Sequence, residues 1–412
     1  MDKLVKPSAY NAKFTIPSSK SYMQRAVALA ILADGKTILN NPDRSNDSNA
    51  ALKIAQNLGC EVVEKNETIE IERKYNIKNT SISVGEAGLG LRLFTPVCSL
   101  WGQNIKISGE GSLVSRPMNF MIKPLENLGV NLKTNNGFIP FELSGKLTGG
   151  IVEVDGSESS QFLTGLLTAL PLADKDSTIV VKNLKSIPYV EMTLDIIKKF
   201  GGQIENQNYQ IFKIKGNQHY TGIEYAVEGD WSSVSAHLVA GATAGRAEIY
   251  GLNPASLQAD KAILWVLANC GAHIEIDTQK IVVTKSCLNA FRFDATNSPD
   301  LFPVLAALAA QCNGTSIIKG VSRLAHKESN RATAIRDEYA KIGIEIILDN
   351  DLMYIKGGKI KGGKTSSHND HRMAMSLAIS GLNANGIIEI SDAQSVAKSY
   401  PSFWDDFEKS IV

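Results

Sequence analysis

Lys20, Ser21 and Arg25 open the otherwise apolar run KSYMQRAVALAIL and place an ammonium, a hydroxyl and a guanidinium on the first turns of a helix. A helix start already presents unpaired backbone N–H groups and the positive end of the helix dipole, so these donors suit a phosphate or carboxylate. Arg25 falls one turn beyond Ser21, where it can reach the same anion. Ser159, Ser160 and Gln161 repeat the arrangement with uncharged donors; capping accounts for one serine, and the other two side chains need another role. NDHRMAM brings Asp370, His371 and Arg372 to a further start, adding a titratable imidazole and a planar guanidinium. Asp300, in SPD, is either a partner of the helix dipole or a general base among cations. RLAHKESNR holds Lys327, Glu328 and Arg331; on a helical turn Lys327 and Arg331 share a face, and the competing reading is a salt-bridged surface helix. Arg116 in VSRPM and Lys398 in VAKSYP stand in loops, where cations are solvated by default. Ser232 and Ser233, behind Trp231, read as capping and packing.

Seven cations, Lys20, Arg25, Arg116, Lys327, Arg331, Arg372 and Lys398, thus accompany two acids, Asp300 and Glu328. That ratio suits two polyanionic small molecules and one or two proton transfers. Neither GxxxxGK[ST] nor a GxGxxG behind a strand occurs, so nucleotide phosphoryl transfer and hydride transfer lack their usual marks. The chain has 412 residues and a formal net charge of +1, which argues against a spread nucleic-acid footprint. Five cysteines, Cys60, Cys98, Cys270, Cys287 and Cys312, form no CxxC pair and no metal-finger spacing, so neither a disulfide framework nor a metal site is expected. MDKLVKPSAYNAKFTIP lacks the apolar core of a signal peptide, and the uncharged run Leu301 to Ile318 contains polar residues, Pro and Gly that fit a buried helix and turn better than a membrane span. A soluble cytoplasmic protein is expected, acting on small molecules without nucleic acid or membrane.

The elements that position these residues recur. Six polar clusters run into apolar helical stretches: SSKSYMQRAVALAIL, GEAGLGLRLFTPVCSL, GSESSQFLTGLLTALPLA, GDWSSVSAHLVAGATA, NSPDLFPVLAALAA and NDHRMAMSLAISGL. Each is followed by a β-rich stretch, and in five units an amphipathic helix then stops at a glycine: Gly59, Gly129, Gly201, Gly271 and Gly343. The steps of 70, 72, 70 and 72 residues mark a repeat of β/α units, and SFWDDFEKSIV ends the sixth. No terminal unit resembles a polar solenoid cap, so an α/β fold with two domains of three units each is expected. One spans residues 16–224 and the other 1–15 with 225–412, with the six helix starts facing the interdomain cleft.

The set SSKSYMQRA, SRPM, SSQFLTGLL, SIPY, SPD, HKESNR, NDHRMAM and AKSYP, in this order from Lys13 to Pro401, closely resembles the 5-enolpyruvylshikimate-3-phosphate synthases. The resemblance implies a two-domain enolpyruvyl-transferase fold and the joining of phosphoenolpyruvate to the 5-hydroxyl of shikimate 3-phosphate through a tetrahedral adduct, without metal or organic cofactor, in a monomer. It assigns Lys20, Ser21, Arg25, Ser159, Ser160, Gln161, Ser186, Asp300 and Lys327 to shikimate 3-phosphate. Lys20, Gly88, Arg116, Gln161, Arg331, Arg372 and Lys398 fall to phosphoenolpyruvate. Asp300 would take the 5-hydroxyl proton, and Glu328, assisted by Lys20 or His371, would protonate the methylene carbon.

Where that family carries NAGTAMRP, this chain has EAGLGLRL, Glu86 to Leu93. A carboxylate near an anion site costs Coulomb energy unless Glu86 turns away or pairs with a cation, so a displaced loop is expected, with altered affinity for phosphoenolpyruvate and for its competitor glyphosate. Arg323 stands where the family can place a polar residue that contacts the shikimate. One alternative is the sister enzyme acting on UDP-N-acetylglucosamine, but none of the five cysteines lies in the Gly- and Arg-rich loop it uses. The other is a noncatalytic phospho-metabolite sensor, against which Asp300, Glu328 and Lys20 speak.

Overall fold

A helix that is apolar on every side has no face for water and must be enclosed by protein. Six helices of this chain meet that description: Lys20–Leu32, Gly88–Cys98, Ser160–Ala169, Trp231–Ala244, Phe302–Ala309 and His371–Leu382 are buried along nearly their whole length. The computed structural model describes residues 1–157, 160–325 and 327–412. It divides into two compact units, Ser18–Val227 and Met1–Pro17 with Glu228–Val412, each with its own hydrophobic core around three of these helices.

The repeat works as a βαβ unit closed by a hairpin. In the second repeat, Ser81–Ser83 lies parallel to Ile105–Ser108, and a parallel pair needs a long crossover, which the apolar helix Gly88–Cys98 supplies. Phe138–Ser144 then pairs antiparallel with Ile105–Ser108, and Asn131–Asn135 completes a four-stranded sheet. The third and fifth repeats follow the same order, built on Ile151–Asp155 beside Ser177–Lys182 and on Arg292–Asp294 beside Thr315–Lys319.

The remaining repeats borrow a strand from elsewhere in their own unit. Glu224–Ala226 pairs parallel with Lys36–Asn40 in the first, and Tyr10–Thr15 pairs parallel with Gly245–Tyr250 in the fourth. The sixth has three strands: Lys361–Ser366 lies parallel to Asn385–Ser391, and Lys3–Val5 joins antiparallel on its other side. The repeat glycines end their helices left-handed, with φ of +95°, +92°, +91°, +93° and +83° at Gly59, Gly129, Gly201, Gly271 and Gly343. A side chain is disfavoured there, which is why a glycine recurs so evenly. Gly165 serves close packing instead. A Cβ there would lie 2.5 Å from the Arg92 carbonyl oxygen, so its absence lets helix Ser160–Ala169 press against Gly88–Cys98.

One sequence expectation is corrected. Lys327 and Glu328 do not share a helix with Arg331, because the helix is Arg331–Lys341, with Asn330 capping it through Thr333 N. The residues before it form a bent segment, which aims Lys327 and Glu328 independently of helical spacing.

Candidate active site

In the unit Ser18–Val227, hydrogen bonds between helix starts show that these starts lie at one end. Arg92 Nη1 donates to Gln161 Oε1 at 2.8 Å, tying the second apolar helix to the third. Arg25, 1% exposed, donates through Nε to Thr193 Oγ1 at 2.9 Å, through Nη1 to Ser21 O at 2.8 Å and through Nη2 to Tyr189 O at 3.2 Å. Burial lowers its pKa to about 10, partly offset by nearby tyrosines, so it is still a cation at neutral pH. Lys20 Nζ donates to Asp47 Oδ2 at 2.9 Å. Asp47 was missed because an acid in the first turn of helix Asn46–Asn57 reads as an ordinary dipole partner.

Gly88 lies beneath two guanidinium groups: a Cβ there would stand 2.8 Å from Arg116 Nη1, 3.1 Å from Arg92 Nη1 and 4.0 Å from Gln161 Oε1. Arg116 is buried rather than solvated as its loop context suggests, and its Nη2 donates to Ser112 Oγ at 2.9 Å. Two buried cations over bare backbone at a helix start form a strong anion cradle. Ser160 is buried at the start of its helix, and Ser186, at φ +60°, precedes helix Ile187–Lys199 in a left-handed conformation that costs a non-glycine residue energy. Ser159 lies outside the described residues.

Glu86 turns onto Gly111, whose φ is +58°, and a methyl group at Gly111 would overlap its carboxylate. Gly111 begins the 3-10 turn Gly111–Ser115, which leads into Arg116. Gly111→Ala is therefore expected to cost about 1–3 kcal/mol, from left-handed strain and overlap together. Adding Glu86→Ala should recover part of that in thermal denaturation; a double variant no more stable than Gly111→Ala would refute the packing role of Glu86.

The unit Met1–Pro17 with Glu228–Val412 carries a denser ionic cluster. Arg331 is 0% exposed, and its guanidinium meets three carboxylates. Nε donates to Asp370 Oδ2 at 2.7 Å, Nη1 to Asp300 Oδ1 at 2.7 Å, and Nη2 to Glu328 Oε2. Asp300 also accepts from Lys327 Nζ at 3.3 Å and from Arg372 Nη2 at 3.3 Å. Burial pushes the Asp300 carboxyl up, but Arg372, Lys327 and Arg331 outweigh it and hold the group well below the usual carboxylate range. Burial lowers the Lys327 pKa, against the pull of Asp300.

Asp370 caps helix His371–Leu382 by accepting from the backbone N of Arg372 at 3.0 Å, so one carboxylate both starts that helix and holds the Arg331 guanidinium. His371 is buried, with Nδ1 3.9 Å from Asp370 Oδ1. Lys398 is buried too, contrary to its loop context, and donates to the carbonyl of Asn369 at 2.6 Å. Asn369 and the preceding His368 are left-handed at +55° and +53°, a strained turn that aims this carbonyl at the lysine. Ser232 bonds Asp260, a residue that no periodicity or motif signalled. Arg323 lies in the 3-10 turn Val321–Arg323. Among the described residues no group of three or more His, Cys, Asp or Glu is placed to hold a metal ion, and no helix is long and apolar enough to cross a membrane.

The fold is similar to that of EPSP synthase from Acinetobacter baumannii, with a TM-score of 0.81 and 24% identity over 100% of this chain and 98% of that one. It is also similar to the enolpyruvyl transferase NikO from Streptomyces tendae, with a TM-score of 0.78 and 15% identity over 99% and 96%. At these identities the likeness defines the class of fold, that of the enolpyruvyl transferases. Residues 4–407 match the family model for EPSP synthase (3-phosphoshikimate 1-carboxyvinyltransferase). The 3-phosphoshikimate 1-carboxyvinyltransferases of Clostridium novyi and Clostridium kluyveri are each 38% identical to this chain over 98% of its length and 96% of theirs. The chain belongs to the EPSP synthase family.

Proposed function

We propose that this enzyme transfers the enolpyruvyl group of phosphoenolpyruvate to the 5-hydroxyl of shikimate 3-phosphate and releases phosphate. The observation that carries the reading is Asp300, a carboxylate held within 2.7–3.3 Å of Lys327, Arg331 and Arg372. A base surrounded by exchangeable cations is what a reaction between two anions requires.

In the unit Ser18–Val227, Lys20, Ser21, Arg25, Ser160, Gln161 and Ser186 serve shikimate 3-phosphate, and Ser159 is assigned with them. Arg116 over Gly88, with Lys20 and Gln161, serves an anionic group of phosphoenolpyruvate. In the other unit, Arg331, Arg372 and Lys398 serve phosphoenolpyruvate, and Lys327 serves shikimate 3-phosphate. Asp300 accepts the 5-hydroxyl proton as the oxygen bonds C2 of phosphoenolpyruvate, while Glu328, assisted by Lys20 or His371, gives a proton to C3. The tetrahedral adduct then loses phosphate, and the new methyl group returns a proton to a carboxylate as the double bond re-forms. Guanidinium groups suit this work because they hold phosphate or carboxylate bidentately through both steps.

The proposal includes a cytoplasmic monomer acting on small molecules without nucleic acid or membrane, supported by the net charge of +1 and by four buried, free cysteines among five. Purified protein should release inorganic phosphate only when both substrates are present. Release with phosphoenolpyruvate and UDP-N-acetylglucosamine instead would replace this reading with the sister activity.

A further inference from the structure

Asp230, Asp260, Asp300 and Asp370 lie at or near the starts of helical segments in the unit Met1–Pro17 with Glu228–Val412, and three of these four have evident partners. Asp300 and Asp370 hold cations, and Asp230 accepts from Ser232 N at 2.8 Å and Ser233 Oγ at 3.2 Å. Asp260 differs. It is 1% exposed; Oδ2 accepts from Ser232 Oγ, and Oδ1 has no hydrogen-bond partner among the described residues. Its 3-10 turn, Ala259–Ala262, packs on helix Trp231–Ala244. That helix packs in turn on Pro299–Leu301, which bears Asp300, and on His371–Leu382, which bears Arg372.

A buried carboxylate with one oxygen unbonded is costly to ionise. Burial raises the Asp260 pKa most; Arg372 opposes it, Asp300 adds to it, the Ser232 hydrogen bond opposes and Asp230 adds, leaving the value at about 6. Behind Asp300 stand Lys327 and Arg331, behind Arg331 stand Glu328 and Asp370, and His371 adjoins Arg372.

We propose that Asp260 is a positioning residue that exchanges the charge of Arg372 for a proton: when an anion engages Arg372, Asp260 takes up a proton from solvent, and it returns that proton when the anion leaves. The proposal rests on the reading of Arg372 as an anion ligand. An anion that neutralises Arg372 removes what favours the ionised form of Asp260, and its own charge acts in the same direction. The neutral acid then no longer repels the ligand. By linkage, affinity falls as pH rises through the ligand-free pKa, because the bound state holds more protons.

Sulfate tests this, since its own charge is constant near neutrality. Weakly buffered protein at about pH 7 is mixed with sulfate or with chloride of equal ionic strength, and proton uptake is read with an indicator dye while binding is followed by calorimetry. Wild type should take up roughly a few tenths of a proton per chain. Asp260→Asn should still bind sulfate, with uptake lost and affinity flatter between pH 5.5 and 7.5, about the range over which a group of pKa near 6 titrates. Ser232→Ala, which removes the one donor to Asp260 among the described residues, should move the uptake window to higher pH, and it decides the matter if Asp260→Asn does not fold. Unchanged uptake in Asp260→Asn, or an unmoved window in Ser232→Ala, would overturn the role of Asp260. Absence of sulfate binding to wild type would overturn the anion-site reading beneath it.

Discussion

Asp300→Asn is expected to lower kcat by about 10²- to 10⁴-fold, the span associated with loss of a positioned general base, with KM for both substrates changed only a few fold. The amide nearly matches the carboxylate in shape, and its oxygen can still accept from Arg331 Nη1 and Lys327 Nζ, which both bond Oδ1. What is lost is the negative charge and with it the ability to accept a proton, together with the bond from Arg372 Nη2 to Oδ2, where the amide nitrogen cannot accept. Steady-state kinetics on protein of wild-type melting behaviour makes the measurement, and near-normal kcat would remove Asp300 from the mechanism. The cations hold Asp300 ionised across the neutral range, so the acid limb of kcat/KM, which reports free enzyme, should contain no Asp300 step above about pH 4.

Arg331→Met should be the most damaging single change in the cluster. Fully buried, Arg331 bonds Asp370, Asp300 and Glu328, and its own pKa is raised well above normal because these three carboxylates outweigh its burial. Removing one partner of a buried ionic set costs about 3–5 kcal/mol, since the remaining charges stay buried without compensation. Turnover should fall below detection. The sign with pH follows from Asp300, whose folded pKa is depressed: its stabilising contribution is complete above the unfolded value of about 3.9 and is lost as pH falls through the folded value. In the variant that depression weakens, so its deficit should hold from neutrality down to about pH 4 and should shrink as pH falls below that. Urea unfolding at neutral and acid pH measures this, and a neutral-pH loss below about 1 kcal/mol would contradict a structural role for the cluster.

The repeat was legible because two independent signals had one period: apolar helices with polar starts, and glycines that only a left-handed helix end explains. Borrowed strands were harder to see. Lys3–Val5 and Glu224–Ala226 are three residues each, too short for a pattern, and their partners, Asn385–Ser391 and Lys36–Asn40, are distant in sequence. At the site, Lys20, Arg331 and Arg372 stood out by motif, whereas the groups that orient them did not. Asp47 and Asp370 look like helix caps, and Asp370 is one; that each also holds a cation depends on a tertiary contact absent from local sequence. Burial misled at Arg116 and Lys398, because a loop position says nothing of what folds over it.

Arg331 and Arg372 are already engaged by carboxylates. Any ligand that binds them enters by exchange, and its affinity is the difference between two sets of ion pairs rather than the strength of one. Chloride, with one charge and no fork of oxygens, is a poor competitor against three bonded carboxylates. A phosphate or carboxylate offering two or three oxygens competes on equal terms. The acids within the site thus act as a threshold: they set how many well-placed oxygens an incoming anion must carry before the protein releases its own.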